Sequence, residues 1–278
     1  MIFGLVLALA LAQAAPAPAP APLQLAPSPA NPSLSEAGNA IAAGRLDQAK
    51  EMLGAAVAAG ARGDPVDRLL ADLAYARGEN LQALALYQAL LVAHPDEALL
   101  LERGGIAALK MGRTSEATAL LDRATRAVGA SWRAWNARGV AADRHGRWDE
   151  ADAAYDHAAT IAPDRAETAN NRGWSMMLRG RWAEALAAFD RATALDPTLP
   201  RLANNRELAA AARSAELPRR LADESDEQFA ARLNDAGVVA AASGDTKRAE
   251  AAYAQAIGLK SRWFGLAADN LAALATPR

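Results

Sequence analysis

This sequence predicts an all-α chain of stacked helix-turn-helix repeats, a solenoid with no single large core. Three observations predict it. A five-point pattern, Gly139, Ala151, Tyr155, Ala158 and Pro163, returns 34 residues later as Gly173, Ala185, Phe189, Ala192 and Pro197, and a fixed step of that size marks a helical array. Gly44, Gly78, Gly112, Gly146 and Gly180 stand at the same step, where one helix of a pair must end and the next begin. Hydrophobic residues make up 52% of the 278 but aromatics only 5%, because alanine supplies most of the apolar fraction, as closely approaching helices require.

Read from the N-terminus, Ile2 to Leu11 is an apolar run followed by the small-x-small triplet Ala12-Gln13-Ala14, which reads as an export signal over 1–14. The run is too short to span hydrocarbon; an uncleaved N-terminal anchor is the alternative. Residues 15–32 are rich in Ala-Pro and predict an extended tether without a core. The array then occupies 33–214, about five units and a half-unit. In each second helix a small residue, Ala49, Ala83, Ala117, Ala151 or Ala185, precedes by four positions a large one, Leu53, Tyr87, Leu121, Tyr155 or Phe189. One turn apart on one face, the pair predicts close approach and then filling. Pro95, Pro163 and Pro197 stop second helices, since proline lacks the amide donor and moves its predecessor out of helical geometry.

The frame breaks once. Arg201 to Ser214 reads as a first helix, but Pro218 falls where its partner should start. An irregular linker is therefore expected over 215–229. Ser225 with Gln228 forms a capping-box pattern that would let the next helix begin early and run long. A last unit and a capping helix, Trp263 to Ala275, complete the expected segment 230–278.

The unit Ser131 to Asp164, with Trp135, Gly139, Ala151, Tyr155, Ala158 and Pro163 at matching positions, resembles the tetratricopeptide repeat family. Arg138 and Ala142 stand where the family has Leu and Tyr. The resemblance implies a right-handed superhelix whose first helices line a concave groove for a protein or peptide partner. At the groove positions it implies Arg68, Glu102, Lys110, Arg133, Asn136, Asn170, Trp174, Met177, Arg201 and Asn204. Asn136, Asn170, Asn204 and Asn234 fall at one position of successive first helices, and a ladder of amides can bond a partner's main chain because each donates and accepts. Bracing of neighbouring helices by the same amides is the competing reading. Trp174 with Met177 reads as an anchor pocket, or as a packed contact between repeats.

Absence of cysteine removes thiolate chemistry, disulfides and lipobox acylation. The formal net charge of -2 gives no basic footprint for nucleic acid. His94, His145 and His157 occupy unrelated positions, and none has a second histidine at the spacing of a metal helix. No catalytic residue, cofactor or metal is expected. The expected function is a non-catalytic adaptor, periplasmic or secreted, for a cell-envelope protein. Self-association as a homodimer and a role like that of Tad-type (Flp) pilus assembly proteins are the alternatives.

Overall fold

The structure, a computed structural model, describes residues 32–214, 216–259, 261 and 264–274. The expected signal and residues 15–31 of the tether lie outside the described residues. Fourteen helices and no strand occur among those described: α1 Pro32–Ala42, α2 Leu46–Ala58, α3 Asp64–Ala76, α4 Asn80–Ala93, α5 Ala98–Lys110, α6 Thr114–Arg126, α7 Trp132–Arg144, α8 Trp148–Ile161, α9 Ala166–Leu178, α10 Trp182–Leu195, α11 Leu202–Arg213, α12 Asp226–Ala242, α13 Thr246–Gly258 and α14 Phe264–Leu274. The chain divides into two compact units within α7, between Ala141 and Ala142.

The first unit is built of paired helices, α1 with α2, α3 with α4 and α5 with α6. At the turn of the third pair Gly112 takes φ 73°, and the amides of Gly112 and Arg113 close back on Leu109 O and Ala108 O at 3.0 Å each. A side chain there would be strained, which is why the glycine step is kept. Arg113 follows as the N-cap of α6 without a side-chain cap bond. Its charge opposes the helix dipole, and Glu116 at the third helical position offsets it at 3.6 Å. Arg147 with Glu150 and Arg181 with Glu184 repeat that pairing in the second unit. Ala49, Ala83 and Ala117 are wholly buried, as are Tyr87 and Leu121, so the small-then-large pattern does pack the second helices.

In the second unit Ala151, Ala185 and Ala249 are likewise wholly buried beside Tyr155, Phe189 and Tyr253. A Cβ on Gly173 would stand 2.5 Å from the Phe189 ring, so the backbone of α9 approaches α10 as closely as glycine allows. One 34-residue step on, the corresponding position of α11 holds Glu207, and no second helix follows directly in the chain. The segment 216–225 runs non-helically instead. Arg232, 3% exposed, holds it by two 2.7 Å bonds to Glu224 and one at 3.2 Å to Arg219 O, and also reaches Glu207. Arg248 caps the end of α11 through Ala211 O and Ala212 O at 2.9 and 3.1 Å.

The expected irregular stretch of 215–229 is shorter at its far end, because α12 begins at Asp226. The Ser225–Gln228 capping box forms in both directions, at 3.2 and 2.9 Å. It starts the longest described helix, 17 residues.

Candidate binding surface

The ten candidate residues divide between the two units. In the first, Arg68 on α3 does not stand free: Nη2 donates to Glu97 at 2.7 Å and lies 3.6 Å from Asp64. The Glu97 bond raises its already high pKa, against desolvation. Glu102 on α5 is buried and accepts from the hydroxyl of Ser131, whose Oγ in turn takes the amides of Arg133 and Ala134 at 3.0 and 3.2 Å. That carboxylate therefore fixes the start of α7. Burial pushes its pKa up, with the Ser131 bond and Arg133 opposing. The assignment of Glu102 as a partner contact is corrected, since its buried carboxylate is committed to the start of α7, while Arg68 is half-buried and already ion-paired.

Lys110 and Arg133 are different. Lys110, exposed at the last position of α5, holds its ammonium 5.1 Å from the Tyr75 ring centre. Arg133, half-buried, lies 4.5 Å over the Trp132 ring. Each cation has an aromatic face and, among the described residues, no carboxylate within ion-pairing range, an arrangement worth about 0.5–1 kcal/mol at exposed sites. Tyr75 has its hydroxyl pushed up to about 12 by burial and then by Glu102, with Arg103 and Arg133 opposing. Tyr75, Glu102, Arg103 and Arg133 thus form one electrostatic cluster. Arg103 itself is consumed by Asp72, which also takes the Tyr87 hydroxyl at 2.8 Å. Asn136 is half-buried and is not without a partner.

In the second unit three candidates turn out to be core. Asn170, Trp174 and Met177 are 1%, 5% and 0% exposed, so they have no surface to offer a partner. The Asn170 and Asn205 carboxamides stand 2.8 Å apart. With the Asn205 oxygen facing the indole, Trp174 Nε1 donates to it at 3.0 Å, and the Asn205 nitrogen donates to Arg201 O at 3.3 Å. The amide ladder therefore braces successive first helices. Asn234, fully buried, repeats the arrangement by accepting from Asn270 at 3.0 Å. Asn204, the residue expected in the ladder, is half-buried and gives that place to Asn205. Arg201, half-buried, is the N-cap of α11 at φ 67° and lies 3.4 Å from Asp235.

Two side chains on the same helices were not anticipated. Asp143, 4% exposed near the end of α7, accepts from Tyr155 at 2.7 Å and from Ser175 at 2.6 Å. Burial raises its pKa to about 7 against those two bonds and Arg179. Arg144, 7% exposed, has Nε and Nη1 enclosed without a partner. It stands one 34-residue step after Lys110, so the period that places Lys110 on this face would have found it.

The tetratricopeptide repeat profile matches residues 34–98 and 102–166, and a second form of it matches 166–199, together more than half of the chain. Among solved structures, a tetratricopeptide repeat protein of Parabacteroides merdae ATCC 43184 is 16% identical with a TM-score of 0.56, over 88% of this chain and 98% of that one. PilW, described as a widely conserved type IV pilus biogenesis factor, is 16% identical with a TM-score of 0.55, over 89% and 100%. The thermophilic tetratricopeptide repeat protein TTC0263 of Thermus thermophilus is 21% identical with a TM-score of 0.52, over 66% and 97%. No curated protein matches the sequence. Identities at this level show the fold, and the fold they show is the helix-turn-helix array whose turn glycines, buried alanines and aromatic fillers are described above. With its repeats matched over more than half its length, the chain belongs to the tetratricopeptide repeat family.

Proposed function

We infer that this chain, as tetratricopeptide repeats generally do, mediates protein–protein interaction. We propose that this chain is a non-catalytic adaptor, exported to the cell envelope, that holds an acidic segment of an envelope protein on the first-helix face of α3, α5 and α7. The observation that carries the reading is the pair Lys110 and Arg133, two cations on aromatic faces with no carboxylate within ion-pairing range among the described residues. A partner carboxylate would gain a charge-assisted bond there without displacing an internal one. Export rests on the apolar run and its small-x-small triplet. Among the described residues no helix is long and apolar enough to cross a membrane.

The test is cross-linking of the C-terminally tagged chain in its native envelope, beside a Lys110→Ala, Arg133→Ala double variant that stays folded. A partner captured by the parent and lost in the variant supports the adaptor. Equal capture by both moves the contact to another face, and cross-links between copies alone establish the self-associating alternative.

A further inference from the structure

The frame of turn glycines fails at one step, and a groove lies where it fails. Ser214 stands 34 residues after Gly180 but ends α11 at φ −83°, so the chain makes no left-handed turn there. The turn at Gly180 reaches instead the turn between α12 and α13, where a Cβ on Gly180 would lie 3.7 Å from the Ser243 side chain. Beside these turns, within the second unit, Trp148, Leu178, Trp182, Ala212 and Ala242 line a groove of about 760 Å³, a size that takes a ligand or a few side chains of a peptide.

Trp148 and Trp182 each open a second helix two positions after a turn glycine. That position does not demand tryptophan, since Leu46, Asn80, Thr114 and Thr246 hold it in the other pairs. Both indoles pack in part on the core of the unit and stay half-buried at the groove. A half-exposed indole combines a large apolar face with an N–H donor and is the side chain most often found at the energetic centre of an interface.

Three arginines and one aspartate also line the groove. Arg179, 5.6 Å from the Trp148 ring centre, is held by Asp152 at 2.7 and 2.8 Å. Arg248 gives its Nη groups to Ala211 O and Ala212 O. Asp245 takes the Arg248 amide at 3.2 Å as the cap of α13. Arg213 is exposed and, among the described residues, has no carboxylate within ion-pairing range. The groove therefore joins an aromatic wall to one uncommitted positive charge.

We propose that this groove is a docking site for an extended segment of a protein partner that lays a bulky apolar side chain against Trp148 and Trp182 and a carboxylate on Arg213. Two side chains one residue apart lie on the same side of an extended segment, so an apolar-x-acidic triplet meets both requirements. The surface is additional to the contact proposed for Lys110 and Arg133.

The test uses the full chain and a blocked pentapeptide, acetyl-Ala-Phe-Ala-Glu-Ala-amide, read by the indole N–H signals of the six tryptophans in nitrogen-correlated NMR. Trp148→Phe and Trp182→Phe assign the two signals of interest, and the dispersion of the others reports that each variant is folded. The peptide is expected to shift the Trp148 and Trp182 signals to saturation and to leave the buried Trp174 signal in place. Arg213→Gln should weaken the peptide by about two- to fivefold, as should Gln for Glu in the peptide, and the two changes together should cost no more than either alone. Replacing Phe by Ala in the peptide should abolish the shifts. No saturable shift at Trp148 and Trp182, equal binding of the Glu and Gln peptides, or unchanged binding to Arg213→Gln would each overturn the site. The adaptor reading fails separately, through unchanged cross-linking of the Lys110 and Arg133 variant.

Discussion

Replacing Asp143 by Asn should make the protein more stable at pH 8 and make little difference at pH 4. The native fold holds this carboxyl at about 7, against 3.8 for the free side chain, because burial outweighs the bonds from Tyr155 and Ser175. The native state therefore keeps a proton that the unfolded chain releases between those two values. Through that window the group's contribution to stability falls as pH rises, with a slope of about 1.4 kcal/mol per pH unit. Below 3.8 both states are protonated and the contribution is flat; above about 7 both are ionised and the full penalty stands. About three decades separate the ends, so the ceiling is about 4 kcal/mol. Asparagine cannot ionise, keeps an oxygen for one hydroxyl and offers an N–H₂ to the other, which can rotate to accept. Urea denaturation of parent and Asp143→Asn from pH 4.5 to 8 would give the difference at each pH, cancelling the other titrating groups. A difference independent of pH, or an Asn variant weaker than the parent at pH 8, would refute the reasoning.

Gly173→Ala places a Cβ against the buried Phe189 ring and should cost about 1–3 kcal/mol by overpacking, read as a lower denaturation midpoint. Arg232→Met leaves Glu224 and Glu207 facing a vacated charge and should destabilise by about 3–5 kcal/mol; adding Glu224→Gln should restore part of the loss, and a double variant no better than the single would exclude that cause. Trp174→Ala should lower stability by about 3–5 kcal/mol. Trp174→Phe, which loses only the bond to Asn205, should cost about 1 kcal/mol by the same measurement.

Much of the architecture was legible because it repeats. The turn glycines, the alanines four positions ahead of an aromatic or leucine, and the Ser225–Gln228 box are each local signals whose cause lies within a few residues, and each appears where expected. The binding surface was less legible because its residues are decided by partners about one repeat away. Nothing in the local sequence of Arg68 announces Glu97, nor does that of Glu102 announce Ser131, 29 residues on. The asparagine ladder failed in an instructive way. Counting by 34 selects Asn204, but the contact to Asn170 is made by Asn205, since beyond Asp196 the chain enters α11 through a left-handed Arg201. Whether an amide faces solvent or an adjacent helix turns on one residue of register.

The missing partner helix of α11 also changes how the second unit should melt. In a linear array each repeat is stabilised chiefly by its neighbours, like links whose strengths multiply along a chain. Most links here are apolar, alanine against a ring. Between α11 and α12 the link carries an ionic cluster, Arg232 with Glu224 and Glu207, and a guanidinium cap from Arg248. Loss of Arg232 would weaken that junction while leaving the alanine–ring contacts of the other links in place, so the attachment of α12 to α14 to the preceding helices depends on charge as well as on apolar packing.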